Sequence, residues 1–498
     1  MEIRKINKIL VANRGEIAVR VMKTAREMGI KTVAIYSDAD RHSPHVRYAD
    51  EAVNVGPPPS AQSYLMTDKI IKICKDLAVD AVHPGYGFLS ENAGFAKSIE
   101  ENGIIFIGPS TKAIEIMGDK LSAKEAVSGY NVPMVPGVNH AVTDPEEARK
   151  IAEQVGYPVL IKASAGGGGK GMRVVENPEE LEEQMKRAIS EAQSAFGNGA
   201  VFVEKFITSP RHIEIQVLGD KHGNLVYLFE RECSIQRRHQ KVIEEAPSAI
   251  LTPEKRKAMG EAALGVAKSC DYYSAGTVEF IVDENLDFFF LEMNTRLQVE
   301  HPVTEEITGV DLVKEQILIA EGHPLSFKQE DLKIKGHSLE VRVYAEDPTN
   351  NFLPDIGYLS TYNRPEGPGI RVDDGFEEGM DIPIYYDPMI AKLIASGKDR
   401  TEAIERMVKA IQEYEITGFK TTLNFCEFAI KHEAFTSGKF DTKFVETYYK
   451  PELLQEVNPE HHDIALVLAA LISEEKSNNS LKLKSNTTTS NWKLRVRD

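Results

Sequence analysis

The sequence predicts a multidomain protein that is α/β at its N-terminus and α+β beyond it. Over the first hundred residues, apolar runs such as KILVAN alternate with helical patterns such as EIAVRVMKTAREMG. This alternation is typical of a parallel sheet flanked by helices. From about residue 117, strand patterns separated by short turns predict antiparallel hairpins. From about residue 331, short strands interrupted by Gly and Pro predict a further β-rich region.

These changes of pattern divide the chain into three domains and an extension. We expect an N-terminal α/β domain over 1–116, a central α+β domain over 117–330 and a β-rich domain over 331–448. The extension, 449–498, combines one amphipathic helix with a polar tail that is expected to be disordered. The apolar face of the helix comprises Ile464, Val467, Leu468 and Leu471.

The composition excludes several classes of protein. Of the 498 residues, 42% are hydrophobic and 27% charged, as is usual for globular proteins. A net charge of −17 argues against nucleic acid or an anionic membrane as a partner, so a bound polyanion needs a local cluster of cations. The four cysteines form no CxxC pair, and no signal peptide or long apolar run is present. We therefore expect a cytoplasmic protein.

A glycine-rich hairpin is predicted by the stretch KASAGGGGKGMRVV. Gly166, Gly168 and Gly171 match the dinucleotide pattern GxGxxG, but that fingerprint must open a helix, and MRVVE predicts a strand. The free backbone N–H groups can instead surround phosphate oxygens, with charge from Lys162 and Lys170. A flexible surface hairpin is the alternative, although the conformational cost of four consecutive glycines favours phosphate contact.

A second hairpin carries a set of oxygen ligands. If TVEFIVDENLDFFFLEMN turns at ENLD, Glu279 and Glu292 lie roughly opposite each other, and Asn294 shares the face of Glu292. Two carboxylates and an amide oxygen suit Mg²⁺ that bridges phosphates. The alternative is a solvated strand face. The flanking runs FIV and FFFL favour burial instead, and buried carboxylates without a partner would be costly.

Two clusters supply local positive charge. The first is RECSIQRRHQK (231–241), which includes His239. The second is NTRLQVEH, in which Arg296, Gln298 and Glu300 alternate and are expected to project to one face of an extended segment. An arginine beside an amide and a carboxylate can bind a small planar anion and take a proton from it. The alternative is a ladder of surface salt bridges.

Taken together, these motifs resemble the biotin carboxylases of the ATP-grasp family. The similarity covers about residues 4–447 and follows ILVANRGEIAVR, HPGYGFLSEN, MGDK, KASAGGGGKGMRVV, EKFI, RHIEIQV, ERECSIQRRHQKVIEEAP, LEMNTRLQVEHPVTE and YYDPMIAKLI. It implies a Rossmann-like parallel sheet at the N-terminus, a central ATP-grasp domain and a C-terminal β-rich biotin carboxylase domain. It also implies that the glycine-rich hairpin belongs to a mobile lid, at about 134–205.

The resemblance implies a role for each matching residue. The ATP-binding set would be Lys120, Lys162, Gly168, Gly169, Glu204, Lys205, Ile207, His212, Gln236, His239, Glu279 and Glu292. Mg²⁺ or Mn²⁺ would be held by Glu279, Glu292 and Asn294. Bicarbonate would be held by Lys241, Arg296, Gln298, Glu300 and the backbone of Val299. Biotin would lie near Tyr86, Arg342 and Asp387, and the catalytic set would be Lys241, Arg296, Glu300 and Arg342.

The reaction implied is ATP-dependent carboxylation of biotin with bicarbonate. Glu300 would deprotonate bicarbonate, which would attack the γ-phosphate of ATP to give carboxyphosphate. Carboxyphosphate would then yield CO₂ and phosphate, and the phosphate could take the N1 proton of biotin while Arg342 stabilises the oxyanion. Closure of the glycine-rich lid would keep water away from the labile intermediate.

The resemblance also implies partners. The sequence has no biotin-accepting AMKM-type motif, so biotin is expected on a separate biotin carboxyl carrier protein, and a further expected partner is the carboxyltransferase subunit. A homodimer through 331–448 is implied, and no nucleic acid or membrane partner. The apolar helix at 463–475 resembles an extension of acyl-CoA carboxylase subunits; it either docks a partner or packs on its own domain.

Rival functions remain at this point. Half of a carbamoyl phosphate synthetase could share the nucleotide pocket, although RLQVEHPVTE and RRHQK favour bicarbonate with biotin. An inactive regulatory chain would lack a catalytic residue, whereas the whole catalytic set is present. The expected acceptor of the carboxyl group is acetyl-CoA, as in fatty acid biosynthesis, or propionyl-CoA. The alternative is a two-subunit pyruvate carboxylase.

Overall fold

The N-terminal region is built on a five-stranded parallel sheet, as predicted. The computed structural model describes residues 3–138, 140–163, 171–238, 240–454, 464 and 466–473. The strands are β1 (Lys8–Val11), β2 (Lys31–Ser37), β3 (Glu51–Gly56), β4 (Ala81–His83) and β5 (Ile105–Phe106), in the order β3-β2-β1-β4-β5. The helices are α1 (Gly15–Glu27), α2 (Pro44–Tyr48), α3 (Thr67–Asp76), α4 (Ala93–Glu101) and α5 (Thr111–Gly118).

The loops after β1 and β4 meet at the carboxyl edge of this sheet. The Asn13 side chain donates hydrogen bonds to the carbonyl oxygens of Pro84 (2.8 Å) and Tyr86 (2.7 Å). Ligand sites of parallel sheets lie at this edge, where backbone and side-chain polar groups from different strands converge. The segment that starts α1 therefore lies beside the loop that carries Tyr86.

A small three-stranded antiparallel sheet follows. Its strands are β6 (Val159–Ala163), β7 (Met172–Val175) and β8 (Val201–Lys205), in the order β7-β6-β8, and its helices are α6 (Lys120–Val127), α7 (Pro145–Val155) and α8 (Leu181–Phe196). The predicted hairpin of YPVLIKAS and MRVV is confirmed by the pairing of β6 with β7. The residues between these strands, 164–170, lie outside the described residues. Helices α7 and α8 and the sheet share a hydrophobic cluster of their own, built around Val159, Ile161 and Val203.

The strands of the central region after β8 form long antiparallel pairs. They are β9 (Arg211–Gly219), β10 (Leu225–Arg237), β11 (Gln240–Ala246), β12 (Ser274–Val282) and β13 (Phe288–Asn294), and the helices are α9 (Pro253–Ser269), α10 (His301–Thr308) and α11 (Leu312–Glu321). The β12–β13 pair is the predicted hairpin. Glu279 lies directly opposite Glu292 in its register, which confirms the turn at ENLD.

The C-terminal strands continue the same sheet. They are β14 (His337–Tyr344), β15 (Glu346–Asp347), β16 (Leu353–Pro354), β17 (Thr361–Asn363), β18 (Ile370–Asp374), β19 (Met389–Gly397) and β20 (Glu415–Thr417). The helices are α12 (Arg400–Glu413), α13 (Leu423–Lys431), α14 (Glu433–Thr436) and α15 (Phe444–Tyr448). Pairing of β11 with β14 gives an eight-stranded sheet in the order β13-β12-β9-β10-β11-β14-β19-β18. Side chains that are distant in sequence therefore share one sheet face.

Residues 450–498 form a unit separate from 1–449. Residues 464 and 466–473 are helical, as predicted, and their apolar side chains are exposed, including Ile464, Val467, Leu468 and Leu471. The expected disordered tail lies outside the described residues. Within the described part of the chain, no helix is both long and apolar enough to cross a membrane.

Candidate active site

A large cavity lies between the two antiparallel sheets and the N-terminal loops. Its volume is about 1350 Å³. Ligand pockets commonly measure roughly 300–1,000 Å³, so this cavity has room for more than one substrate. The predicted site residues that line it are Tyr86, Lys120, Lys162, Glu204, Lys205, Ile207, His212, Gln236, Lys241, Glu279, Glu292, Asn294, Arg296, Gln298, Val299, Arg342 and Asp387.

The remaining predicted residues have other positions. Glu300 is fully buried and does not line the cavity; its carboxylate is reached through the side chains of Lys241 and Arg342. Gly168, Gly169 and His239 lie outside the described residues. The sequence therefore identified most of one cavity wall, although its predicted base lies behind that wall.

The small sheet brings a balanced set of charges to one end of the cavity. The Lys162 ammonium lies 2.9 Å from a carboxylate oxygen of Glu204, and Lys124 of α6 donates to the other oxygen. Burial raises the pKa of Glu204, but Lys162 and Lys124 outweigh it and hold that pKa below its usual value. Lys205 donates to the carbonyl oxygens of Gly156 and Tyr157. Lys162 and Glu204 therefore face the cavity as an ion pair.

The β12–β13 hairpin carries two carboxylates on adjacent strands. Asn294 donates to Glu279 at 2.9 Å, and the His212 imidazole lies 3.0 Å from the second oxygen of Glu279. Burial and the charge of Glu279 raise the pKa of Glu292, so this pair lacks positive charge on the Glu292 side. Two carboxylates and an amide oxygen are the hard ligands that Mg²⁺ prefers. Glu279, Glu292 and Asn294 therefore fit a divalent cation.

Lys241 on β11 is the centre of the ion network in the large sheet. Its ammonium donates to Glu214 (2.5 Å), Glu279 (2.9 Å) and Glu300 (2.7 Å). Burial disfavours the charged ammonium, but the three carboxylates outweigh burial and raise the pKa of Lys241 well above its usual value. Among the described residues, ligand atoms of Glu214, Cys233 and Glu300 also lie within 4.8 Å of one another. The ammonium of Lys241 already neutralises two of those three groups.

Glu300 is held between two cations. Besides the bond from Lys241, it accepts a hydrogen bond of 2.8 Å from Arg342 of β14, which also donates to Glu244 at 2.7 Å. Burial favours the neutral carboxylic acid, but Lys241 and Arg342 outweigh it and hold the pKa of Glu300 well below its usual value. In this arrangement Glu300 is ionised and occupied by two strong donors.

The expectation that Arg296, Gln298 and Glu300 share one face of an extended segment is wrong. The strand ends at Asn294, and the chain turns at Val299 and Glu300 into helix α10. A proline in the first turn of that helix favours this start, because its fixed φ suits the first helical position. Arg296 and Gln298 still contact each other, with 3.1 Å between the guanidinium and the amide oxygen, but Glu300 points to the buried cations.

Arg296 also reaches an acidic residue of the N-terminal region. Its guanidinium donates to Glu91 at 2.9 Å and to the amide oxygen of Asn294 at 3.2 Å. The side-chain nitrogen of Gln298 is buried without a hydrogen-bond partner among the described residues. A buried donor without a partner is uncommon, and a bound anion would satisfy it.

Three family models match the chain in sequence order. They are described as Biotin carboxylase, N-terminal domain (5–114), Carbamoyl-phosphate synthase L chain, ATP binding domain (119–328) and Biotin carboxylase C-terminal domain (340–447). The biotin carboxylase of Halalkalibacterium halodurans is 51% identical over 89% of this chain and 98% of its own length. The chain belongs to the biotin carboxylase family. Members of this family are ATP-dependent ligases that use Mg²⁺ and biotin carried on a partner.

Other biotin carboxylase relatives are parts of different carboxylases. The mouse mitochondrial propionyl-CoA carboxylase alpha chain is 56% identical over 90% of this chain but only 62% of its own length. The chain thus spans less than two thirds of that relative. One of the two subunits of the pyruvate carboxylase of Methanothermobacter thermautotrophicus is 53% identical over 89% of this chain and 90% of its own length.

A solved biotin carboxylase structure has the same fold. It is the biotin carboxylase domain dimer of the 2-oxoglutarate carboxylase of Hydrogenobacter thermophilus, in complex with MgADP, ADP and bicarbonate. The TM-score is 0.84, with 50% identity over 89% of this chain and 98% of that chain.

Several buried charged residues of the chain were missed by the sequence analysis. They are Lys124, Glu214, Glu244 and Lys392. Glu214 had a detectable signal, because it follows His212 at the two-residue spacing that puts both side chains on one face of β9. Lys392 in DPMIAKLI is a single lysine in an apolar strand pattern, and nothing local indicates its partners.

Proposed function

We propose that this chain carboxylates biotin on a separate biotin carboxyl carrier protein, using ATP and bicarbonate, through carboxyphosphate. The observation that carries the proposal is the single cavity that joins the Lys162–Glu204 pair, the Glu279–Glu292 hairpin and the Lys241–Arg342 network. Such a cavity can hold a nucleotide and a small anion side by side. Proximity of that kind lowers the barrier of a two-substrate reaction.

The nucleotide is proposed to lie between the two sheets. Lys120 and Lys162 bind phosphate oxygens, and Glu204, Lys205 and Ile207 line the adenine pocket. The ribose and phosphates are bound by His212, Gln236 and His239. Gly168 and Gly169 belong to the lid, 134–205. The separate hydrophobic cluster of the small sheet supports a lid that moves as a body.

Mg²⁺, or Mn²⁺ in its place, is proposed to bind at Glu279, Glu292 and Asn294. A bound cation would offset charge on the phosphates of ATP. The raised pKa of Glu292 supports this assignment, because a divalent cation would favour its ionised form. Lys241 and His212, which now contact Glu279, then neutralise the carboxylates that face away from the nucleotide.

Bicarbonate is proposed to bind Lys241, Arg296, Gln298 and the backbone of Val299, next to Glu300. A general base works best with a pKa near the working pH, and Glu300 alone is too acidic while Lys241 and Arg342 bind it. An anion that draws Lys241 towards itself would raise the pKa of Glu300. The base would thus become effective when its substrate arrives.

Biotin is proposed to bind at the end of the cavity lined by Tyr86, Arg342 and Asp387. Arg342 is held by Glu244 and Glu300, so its guanidinium is fixed before any substrate binds. A preorganised cation stabilises the oxyanion that develops when N1 of biotin loses its proton. The Tyr86 hydroxyl is buried with no hydrogen-bond partner among the described residues, and a ligand could supply one.

The remaining assignments concern the larger assembly. We propose a homodimer through 331–448 that works with a carboxyltransferase subunit in an acetyl-CoA or propionyl-CoA carboxylase; a two-subunit pyruvate carboxylase is the alternative, favoured by the Methanothermobacter relative. We propose domains 1–116, 117–330 and 331–448 followed by the extension 449–498. A cytoplasmic location is supported by four buried, unpaired cysteines.

ATP cleavage tests the proposal directly. Phosphate release should require both bicarbonate and Mg²⁺, and it should rise when free biotin is added. Release that is independent of bicarbonate would contradict the proposal. Carbamoyl phosphate formed with an added nitrogen donor would instead support the rival function.

A further inference from the structure

A row of charged side chains lies on the face of the large sheet beneath helix α10. Arg342 of β14, Lys392 of β19 and Asp373 of β18 are direct cross-strand neighbours, so their side chains point to the same face. Val303 and Ile307 of α10 pack against this face through Ile394 of β19, together with Ala246. Helix α10 begins directly after Glu300. The charged row therefore lies under the turn that carries the proposed base.

Lys392 is the member of this row that contacts the turn. It is fully buried, and its ammonium donates a hydrogen bond of 2.9 Å to the carbonyl oxygen of Val299. A buried ammonium is costly unless it is paired. Carboxylate oxygens of Glu16 and Asp373 lie 3.3 Å and 3.9 Å away and supply that pairing.

Glu16 reaches Lys392 from another part of the chain. It lies in the first turn of α1, and it is buried with no hydrogen-bond partner for its carboxylate among the described residues. The backbone of α1 is held close by the loop after β18, since a Cβ on Gly375 would lie 2.5 Å from the Glu16 nitrogen. This close approach fixes Glu16 against β19, and Lys392 is its ion-pair partner.

The contact with Val299 has a consequence for Glu300. The carbonyl of Val299 belongs to the planar peptide that continues into Glu300, so fixing that oxygen fixes the backbone of the proposed base. We propose that Lys392 is a positioning residue: held by Glu16 and Asp373, it orients the Val299–Glu300 peptide so that Glu300 faces the bicarbonate site. This inference rests on the proposed function and adds a residue to it.

The substitution Lys392→Met tests the inference. It keeps the length of the side chain but removes the donor and the charge. The KM for bicarbonate should rise by about tenfold or more and kcat should fall, because small displacements of a catalytic group can cost up to about a hundredfold. The KM for ATP should stay within about twofold, because Lys392 has no contact with the residues proposed to bind the nucleotide.

Arg371→Met is the matched control. Arg371 is a cation on the neighbouring strand β18; it pairs with Asp373 and with Glu305 of α10 but does not contact Val299. Its loss should lower the melting temperature and leave the KM for bicarbonate unchanged. Glu16→Gln is a second, milder variant, which keeps the lysine donor and should raise the KM for bicarbonate by about twofold to fivefold.

The outcomes separate the inference from the proposed function. If wild-type protein cleaves ATP without need for bicarbonate, the proposed function fails. If wild-type protein behaves as proposed but Lys392→Met leaves both bicarbonate KM and kcat unchanged, the inference fails. It also fails if the KM values for ATP and bicarbonate rise together, because that result indicates a general structural loss. Should Lys392→Met not fold, an unchanged bicarbonate KM in Glu16→Gln contradicts the inference.

Discussion

The two antiparallel sheets that enclose the cavity manage buried charge differently. In the small sheet, Glu204 is neutralised by Lys162 of the same sheet and by Lys124 of α6, and the sheet has its own hydrophobic cluster. In the large sheet, Lys241 and Arg342 are shared among carboxylates of several strands and of the turn before α10. A set of charges that is balanced locally can move as a body, whereas a shared network cannot move without separating buried ions.

This difference suggests a division of labour. Separating a buried ion pair leaves an uncompensated charge and costs several kcal/mol, roughly 3–5 in typical cases. The large sheet should therefore stay rigid and hold the reacting groups, while the small sheet opens and closes over the nucleotide. Variants in each sheet test this division, and their expected effects decrease in the order given.

The strongest loss of activity is expected from Glu300→Gln in the large sheet's network. Removal of a general base should lower bicarbonate-dependent ATP cleavage by about 10²–10⁴-fold. Glu230→Gln is the control, because Glu230 is also buried and ion-paired, with Arg256, but does not line the cavity. Phosphate release assays should find the control active. Activity of Glu300→Gln equal to the wild type would remove Glu300 from the mechanism.

Glu292→Gln tests the edge of the large sheet that faces the nucleotide. The Mg²⁺ concentration for half-maximal activity should rise by at least about tenfold, because one hard oxygen ligand loses its charge. Glu284→Gln, an exposed position in the turn of the same hairpin, is the control and should leave the Mg²⁺ requirement unchanged. A Mg²⁺ titration in which both variants match the wild type would exclude this metal site.

Lys162→Met tests the small sheet. The KM for ATP should rise by about tenfold, the equivalent of one charge-assisted hydrogen bond to phosphate. The KM for bicarbonate should not change, because the two sheets keep separate charge sets. Lys186→Met, on the exposed surface of α8, is the control. Equal increases in both KM values would show that the two sheets do not act separately.

The weakest effect on turnover is expected from Glu16→Gln, whose main consequence is for stability. Burial raises the pKa of Glu16 from 4.5 to about 7, although Lys392 opposes the shift. Because the folded-state pKa is above the unfolded one, ionisation of Glu16 destabilises the wild type as pH rises through this interval. The variant avoids that cost of up to about 3 kcal/mol, so its melting temperature relative to wild type should increase from pH 5 to pH 8. A constant difference would contradict this assignment.

Local patterns were enough to predict much of the fold and of the metal site. The alternation of strands and helices indicated the parallel sheet, and apolar runs around a four-residue turn indicated the Glu279–Glu292 hairpin. Both features depend on residues close in sequence. Alternation failed at Glu300, because the Pro-containing start of α10 overrides the extended pattern.

Pairings between distant strands could not be predicted in this way. Arg342 meets Lys392 only because β14 pairs with β19 in one register, and Glu16 joins them from the first helix. A single charged residue in an apolar strand carries no information about such partners. The resemblance to a family supplied Arg342, but the buried ions that hold it required the structure.

The origin of the oxygen in the released phosphate is the sharpest test of attack by bicarbonate on ATP. Bicarbonate labelled with ¹⁸O should transfer one labelled oxygen to phosphate, because the attacking oxygen stays on phosphorus when carboxyphosphate breaks down to CO₂. Mass spectrometry of phosphate from wild-type turnover should therefore find one ¹⁸O per molecule. Phosphate without label from bicarbonate, and with label from ¹⁸O-water, would contradict attack by bicarbonate in this cavity.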